Sequence, residues 1–371
     1  MAGDGFVSLA EELEDLFSRG VESTLSDEAF TGFALRVFAV QVQGNPTYRA
    51  FCAERGATPD TVSRWEDVPA VPAAAFKHVD LVVGPAEDVQ TVFRTSGTTG
   101  GGHTRGRHLV PRPSLYRASL LPNLGANLVP EDEPLPILSL IPSPLDAPGS
   151  SLSAMMGMAA ERWGDPVWWL AHPDAGPDVD AFLAAAAEVG HGGKGALVAG
   201  TAFAFVHLLD TLAARRARVT LPEGSRIMET GGFKGRSRVV AKDELYRRLQ
   251  ERLGVPVNRM VNEYGMTELL SQLYEPLLRE GASGARRHVP PPWLRVRPLD
   301  PTTLEPVAPG MPGLLCFFDL ANAGSVSHVL TEDVGTVSPD GLRLQGRVAG
   351  AEPRGCSLAL EELLTVSQSR P

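Results

Sequence analysis

Apolar side chains recur at two different spacings along this 371-residue chain, and the change between them divides it into parts. Near the N-terminus Leu9, Leu13, Leu16 and Phe17 fall on one helical face, and Phe30, Phe33, Val37 and Phe38 repeat the spacing behind the capping pair Ser26-Asp27. A helical N-terminal layer is expected. From about Val79 short apolar runs take over: Leu81 to Val83, Val89 to Phe93, Leu135 to Ile141, Val167 to Leu170, Ala196 to Ala199 and Ile227 to Met228. They alternate with helical segments around Phe182, which should stop at Gly190, and around Leu249, which should stop at Gly254. Strand and helix in alternation predict an α/β fold with mixed or parallel sheets. Beyond Pro290-Pro291-Pro292, the strand-like pieces Leu294 to Val296, Leu314 to Phe318 and Val326 to Leu330 predict a β subdomain. An amphipathic run with Leu360, Leu363 and Leu364 on one side follows the turn at Pro339-Asp340-Gly341.

Composition narrows the function classes. With 34 basic and 44 acidic residues the formal net charge is -10, which disfavours a nucleic-acid binder. No stretch approaches the roughly 20 apolar residues of a bilayer span, and the acidic N-terminus is unlike a secretory leader, so a cytoplasmic protein is expected. Cys52, Cys316 and Cys356 lie far apart, supporting neither a disulfide framework nor a structural zinc site.

Three segments carry candidate chemistry. In the first, Thr95, Ser96, Gly97, Thr98, Thr99 and Gly100 follow an apolar strand. Glycines free the backbone N–H groups to form an anion nest, hydroxyls add donors, and Arg94, Arg105 and Arg107 add positive potential. The alternatives are a flexible linker, or a P-loop in which His103 stands where the lysine belongs. In the second, the apolar strand at Met260 runs into Asn262-Glu263-Tyr264-Gly265-Met266-Thr267-Glu268, offering an aromatic face for a purine, a hydroxyl for phosphate and a hard carboxylate oxygen for Mg²⁺. In the third, Cys356 sits beside Arg354 and just ahead of a helical run. A positive neighbour and a helix N-terminus both favour thiolate, whereas Cys52 and Cys316 fall in apolar elements.

Together, Thr95 to Gly100 and the later Tyr264-Gly265-Met266-Thr267-Glu268 resemble the paired signatures of adenylate-forming enzymes. The resemblance implies a large adenylate-forming N-terminal domain over residues 1–345 and a short remnant over 346–371 that begins at a hinge near Gly346-Arg347. In full-length relatives, roughly a hundred further residues would follow. It implies ATP and Mg²⁺, with phosphates gripped by Ser96 to Gly100, adenine on Tyr264, the α-phosphate at Thr267 and the metal on Glu268. Gly231 and Gly232 resemble the loop beside adenine and Asp333 the aspartate on the ribose; Thr95, Asn262, Gly265 and Arg347 complete the expected ATP-contacting set. The Gly-Cys-Ser tail resembles that of LuxE-type acyl-protein synthetases. That family ligates a long-chain fatty acid to an enzyme cysteine, here Cys356, and passes it to a partner reductase. The chain departs from the wider superfamily at the phosphate loop, which usually ends in Pro-Lys. Phosphate charge is then left to Arg105, Arg107, His103 or a distant group. Leu152 to Met158 is a candidate acyl-tunnel wall or plain core. Two rival functions stay open: a ligase that passes its adenylate to an external acceptor, and a nucleotide-binding scaffold subunit.

Overall fold

The structure is a computed structural model, described over residues 2–89, 91–95, 105–231, 240–281, 286–347 and 354–368. Its central sheet has the strand order Leu273–Tyr274, Met260–Tyr264, Arg226–Thr230, Leu197–Thr201, Leu135–Ser139, Gly164–Trp169, and all pairings but the first are parallel. Successive side chains in a strand point to opposite faces, so a parallel strand covered on both sides reads as an unbroken apolar run. Leu138, Val198, Ile227 and Met260 join one core with Phe182, Phe205 and Leu249. Their neighbours Ile137, Leu197, Met228 and Val261 join a second core with Leu124, Met156 and Trp163. The helices of the first core are Val179–Gly192, Ala202–Ala214 and Lys242–Leu253.

The β subdomain is a five-stranded sheet, in which Val71–Pro72, His328–Ser338, Gly313–Asp319 and Leu294–Leu299 lie in that order and Gly341–Arg347 pairs with His328–Ser338. The N-terminal helices Ala2–Ser18, Asp27–Gly44 and Pro46–Glu54 pack against it through Phe17, which meets Trp293, and Phe30, which meets Phe318. Ser26 accepts a hydrogen bond from the Ala29 N–H, giving the second helix the cap expected of it.

Three expectations need correction. Leu81 to Val83 is buried but not a strand; the Val83 N–H donates to Gly324 O, so this segment is pinned across the chain rather than in a ladder. The helix through Phe182 passes Gly190 and ends at Gly192, where Gly193 takes the left-handed conformation (φ 69°) that closes it. Cys356 lies inside the tail helix Arg354–Gln368, in its first turn, rather than ahead of it. No described helix is long and apolar enough to cross a membrane.

Candidate active site

A cavity of about 800 Å³ opens at the carboxyl ends of the parallel strands, where Thr201, Thr230, Gly231 and Gly265 come together. Ligands of open α/β sheets bind at this end because the strand tips leave backbone groups and loop side chains unpaired there. Thr267 and Glu268 form one wall. Thr95, Arg94 and Arg105, at the base of the hairpin Thr91–Arg94 and Arg107–Val110, form another, and Leu152 and Met155 of the helix Ser151–Trp163 a third.

The wall that carries Thr267 and Glu268 is fixed from behind. His108 Nδ1 bonds Thr267 O at 2.7 Å, and Asn322 Nδ2 donates to Glu268 O at 2.8 Å. Asp319 accepts from the Leu270 and Ser271 N–H groups at 3.0 and 2.8 Å and from the Ser271 hydroxyl at 2.7 Å. Burial pushes the Asp319 carboxyl up to about 6 despite those donors. It also holds the His108 imidazole down to about 4, hence neutral, with its Nδ1–H donating to Thr267 O. A turn with this many buried bonds has little freedom, which is what a pre-organised binding wall requires.

Gly265 is forced by its neighbour. Glu263, 4% exposed, receives the Thr230 hydroxyl and tucks beneath the turn, so that a Cβ at residue 265 would collide with its Oε1. Gln272 lines the same region, and its Oε1 is buried with no hydrogen-bond partner among the described residues.

At the edge of the cavity, the Tyr264 hydroxyl donates to Asp333 Oδ2 at 2.8 Å and Arg347 Nε to Asp333 Oδ1 at 2.8 Å. The Tyr264 ring stacks on Phe317 with centroids 5.7 Å apart, and burial raises its phenol well above the usual range, so it stays neutral. Arg347 faces the cavity; Tyr264 and Asp333 stand behind it. Gly346 precedes Arg347 with φ 115°, a conformation that favours glycine, at the irregularity in the pairing of Gly341–Arg347 with His328–Ser338.

The structure thus gathers Thr95, Gly231, Gly265, Thr267, Glu268 and Arg347 around one cavity, with Tyr264 and Asp333 bonded to its rim. Ser96 to Gly100 and Gly232 lie outside the described residues. Asn262 is buried beneath the sheet end. Its Nδ2 donates to Glu229 Oε2 at 2.6 Å and its Oδ1 meets His288 Nε2 at 2.9 Å, a bonded group away from the cavity lining. Arg107 pairs with Asp80 at 2.6 Å, leaving Arg94 and Arg105 as the arginines of this hairpin that line the cavity. Lys77 and His108 were not marked by the sequence. Neither belongs to a recognisable spacing, and only the folded chain brings them to this cavity and to the Thr267 turn behind it.

Glu268 lines the cavity, and it is the carboxylate on which the expected magnesium companion of ATP would rest.

Cys356 does not line the cavity. Its sulfur is buried with Leu299, Leu314, Cys316 and Leu330, and its Sγ lies 3.9 Å from Thr331 O. Leu330 and Val334 face this cluster while Asp333 bonds Tyr264, and Thr331 and Glu332 of the same strand His328–Ser338 line the cavity, so the sulfur lies close to the cavity's edge but outside its lining. The tail helix buries Cys356, Ala359 and Leu363, and Glu362 pairs with Arg55.

The family model "Acyl-protein synthetase, LuxE" matches residues 17–365. A long-chain-fatty-acid–luciferin-component ligase of Vibrio harveyi is 24% identical over 97% of this chain and 95% of its own length. Its namesake in Aliivibrio fischeri is 23% identical over 86% of this chain and 84% of its own. Among solved structures, 2-hydroxyisobutyryl-CoA ligase in an open conformation superposes with a TM-score of 0.62 at 16% identity, covering 87% of this chain and 70% of that one, a likeness of fold. With a cavity at the strand ends, a rigid Thr267–Glu268 wall and a family match over nearly its whole length, the chain belongs to the LuxE acyl-protein synthetase family and is an AMP-forming ligase.

Proposed function

We propose that this protein activates a carboxylic acid, of the long-chain fatty class named for its relatives, as an acyl-adenylate, and then carries the acyl group on Cys356 as a thioester for a partner reductase. The observation that carries the first half is that Thr267, Glu268, Thr95, Arg94 and Arg105 line one cavity. A carboxylate oxygen attacks the α-phosphorus of ATP, and the bond to the β-phosphate oxygen breaks to release pyrophosphate. Thr267 steadies the α-phosphate, Arg347 and Asp333 orient the ribose side, and Leu152 and Met155 give the acyl chain an apolar wall. Magnesium bound with ATP supplies charge neutralisation on the phosphates. In the second step the Cys356 thiolate attacks the acyl carbon, its proton having gone to solvent, and AMP leaves.

The position of Cys356 requires its helix to leave its present seat before the second step. Its three buried side chains each contribute on the order of 1–2 kcal/mol, an attachment that differential binding of the adenylate can reverse. The same position favours a second reading, in which Cys356 stays buried and an external thiol, amine or alcohol takes the acyl group. Intact mass after incubation with ATP, magnesium and a panel of acids separates the two. An adduct released by hydroxylamine, and lost in Cys356→Ala while pyrophosphate exchange persists, is expected. Unchanged labelling of that variant would refute the nucleophile.

A further inference from the structure

The phosphate loop lacks the Pro-Lys ending usual in the superfamily, yet pyrophosphate is a leaving group with several negative charges. Somewhere in the cavity cations must meet it. The described lining contains four: Lys77, Arg94, Arg105 and Arg347. Arg347 is committed to Asp333 at 2.8 Å and Glu332 at 3.7 Å. Of the four lining carboxylates, Asp146 accepts the Ser143 hydroxyl at 2.6 Å, Glu263 holds Thr230, Glu332 pairs with Arg347, and Glu268 is the one assigned above to magnesium. Lys77, Arg94 and Arg105 have no carboxylate partner among the described residues.

These three are built around one point, the neck formed by Thr95 and Gly106. The Thr95 N–H donates to Gly106 O at 3.0 Å and the Gly106 N–H to Thr95 Oγ1 at 2.9 Å, closing the two strands on each other. Lys77 ends the short helix Ala73–Lys77, and its stem crosses the neck so closely that a Cβ on Gly106 would sit 3.3 Å from its Cγ and 3.0 Å from Thr95 Cγ2. Arg94 adjoins Thr95, with its N–H bonded to Gly149 O at 2.8 Å and its stem against Gly149; Arg105 adjoins Gly106. A lysine from the β subdomain side and two arginines from the hairpin therefore surround the neck, in the same cavity lining as Thr267 and Glu268.

We infer that Lys77, with Arg94 and Arg105, forms the subsite for the β- and γ-phosphates of ATP and for departing pyrophosphate, Lys77 taking the part of the missing loop lysine. This rests on the adenylation reading above. Lys77 is a point charge on a flexible stem and follows the leaving group as it moves; the arginines offer planar forks to its oxygens.

The test is direct binding to the full-length protein by calorimetry, using ATP with magnesium, pyrophosphate with magnesium, and an inert acyl-sulfamoyl adenosine that lacks β- and γ-phosphates. Lys77→Met is expected to weaken ATP and pyrophosphate at least tenfold and leave the adenylate analogue within twofold, with Lys77→Arg recovering most of the loss. Arg105→Gln, an exposed position that does not threaten folding, is expected to weaken the same two ligands severalfold. Pyrophosphate affinity unchanged in both Lys77→Met and Arg105→Gln overturns the subsite while leaving adenylation intact. Equal weakening of all three ligands overturns it too, as a general structural effect. A wild-type protein that binds neither ATP nor the analogue defeats the adenylation reading itself.

Discussion

The carboxylate of Glu268 is held by its backbone rather than by chance orientation. Asn322 fixes its carbonyl, His108 fixes that of Thr267, and Asp319 gathers the following N–H groups, so the side chain enters the cavity from a stationary base. Glu268→Gln keeps this scaffold and nearly the same volume but removes a hard anionic oxygen. Pyrophosphate exchange should fall about a hundredfold, roughly 3 kcal/mol of transition-state stabilisation, while the circular dichroism spectrum stays unchanged. Exchange within threefold of wild type would remove Glu268 from the metal site. Cys356 raises the opposite problem at the same scale. Its sequence neighbours favoured an activated thiol, yet its packing partners are Leu299, Leu314, Cys316 and Leu330. Helix N-terminus and apolar seat pull in opposite directions, and a nucleophile would need to exchange one environment for the other.

Between elements, the strands Arg226–Thr230 and Met260–Tyr264 are joined beneath the site by a buried polar group. Glu229, 3% exposed, accepts from Tyr246 at 3.1 Å and Asn262 at 2.6 Å, with Glu275, Lys242, Arg286 and His288 around it. Burial raises the Glu229 carboxyl to about 7, partly offset by Lys242 and those two donors. The unfolded chain gives up this proton near 4.5, so the folded state holds it more tightly between the two values. Its contribution to stability is full below about 4.5 and is lost as pH climbs through 7, up to roughly 3 kcal/mol. His288, held down to about 4 chiefly by burial, acts in the other direction, losing stability as pH falls below 6.5. Comparing Glu229→Gln with wild type isolates the carboxyl. The variant's melting temperature, relative to wild type, should rise between pH 5 and pH 8; a constant difference would show that Glu229 ionises normally in the fold.

Across the whole molecule, the cavity and the Cys356 sulfur both border the strand His328–Ser338, the sulfur in an apolar cluster outside the cavity lining. Binding at the cavity and release of the tail helix must be coupled if one chain performs both, and Arg347, which lines the cavity and touches Asp333, ends the last strand before that helix. Thiol labelling reads that coupling. Burial pushes Cys52 and Cys316 up to about 12, so both should label slowly at neutral pH. With the inert acyl-adenylate analogue bound, Cys356 should label at least tenfold faster than in the free protein, and the other two at their former rates. An unchanged Cys356 rate would rule out a tail that is released by the adenylate and favour an external acceptor.

Local chemistry determined much of this from the chain itself. Unbroken apolar runs such as Leu197 to Ala199 announced strands, Ser26 announced a helix start, and the patterns around Thr95 and at Gly265 to Glu268 fell on residues that line one cavity, because each of these signals depends on residues close in sequence. Long-range packing decided the rest. That Lys77 crosses the neck at Gly106, that Asp319 and His108 brace the Thr267 turn, that Asn262 serves a buried group around Glu229, and that Cys356 packs into an apolar cluster are all consequences of which distant segments meet. Burial and electrostatic partnership are properties of those meetings, and no local spacing encodes them.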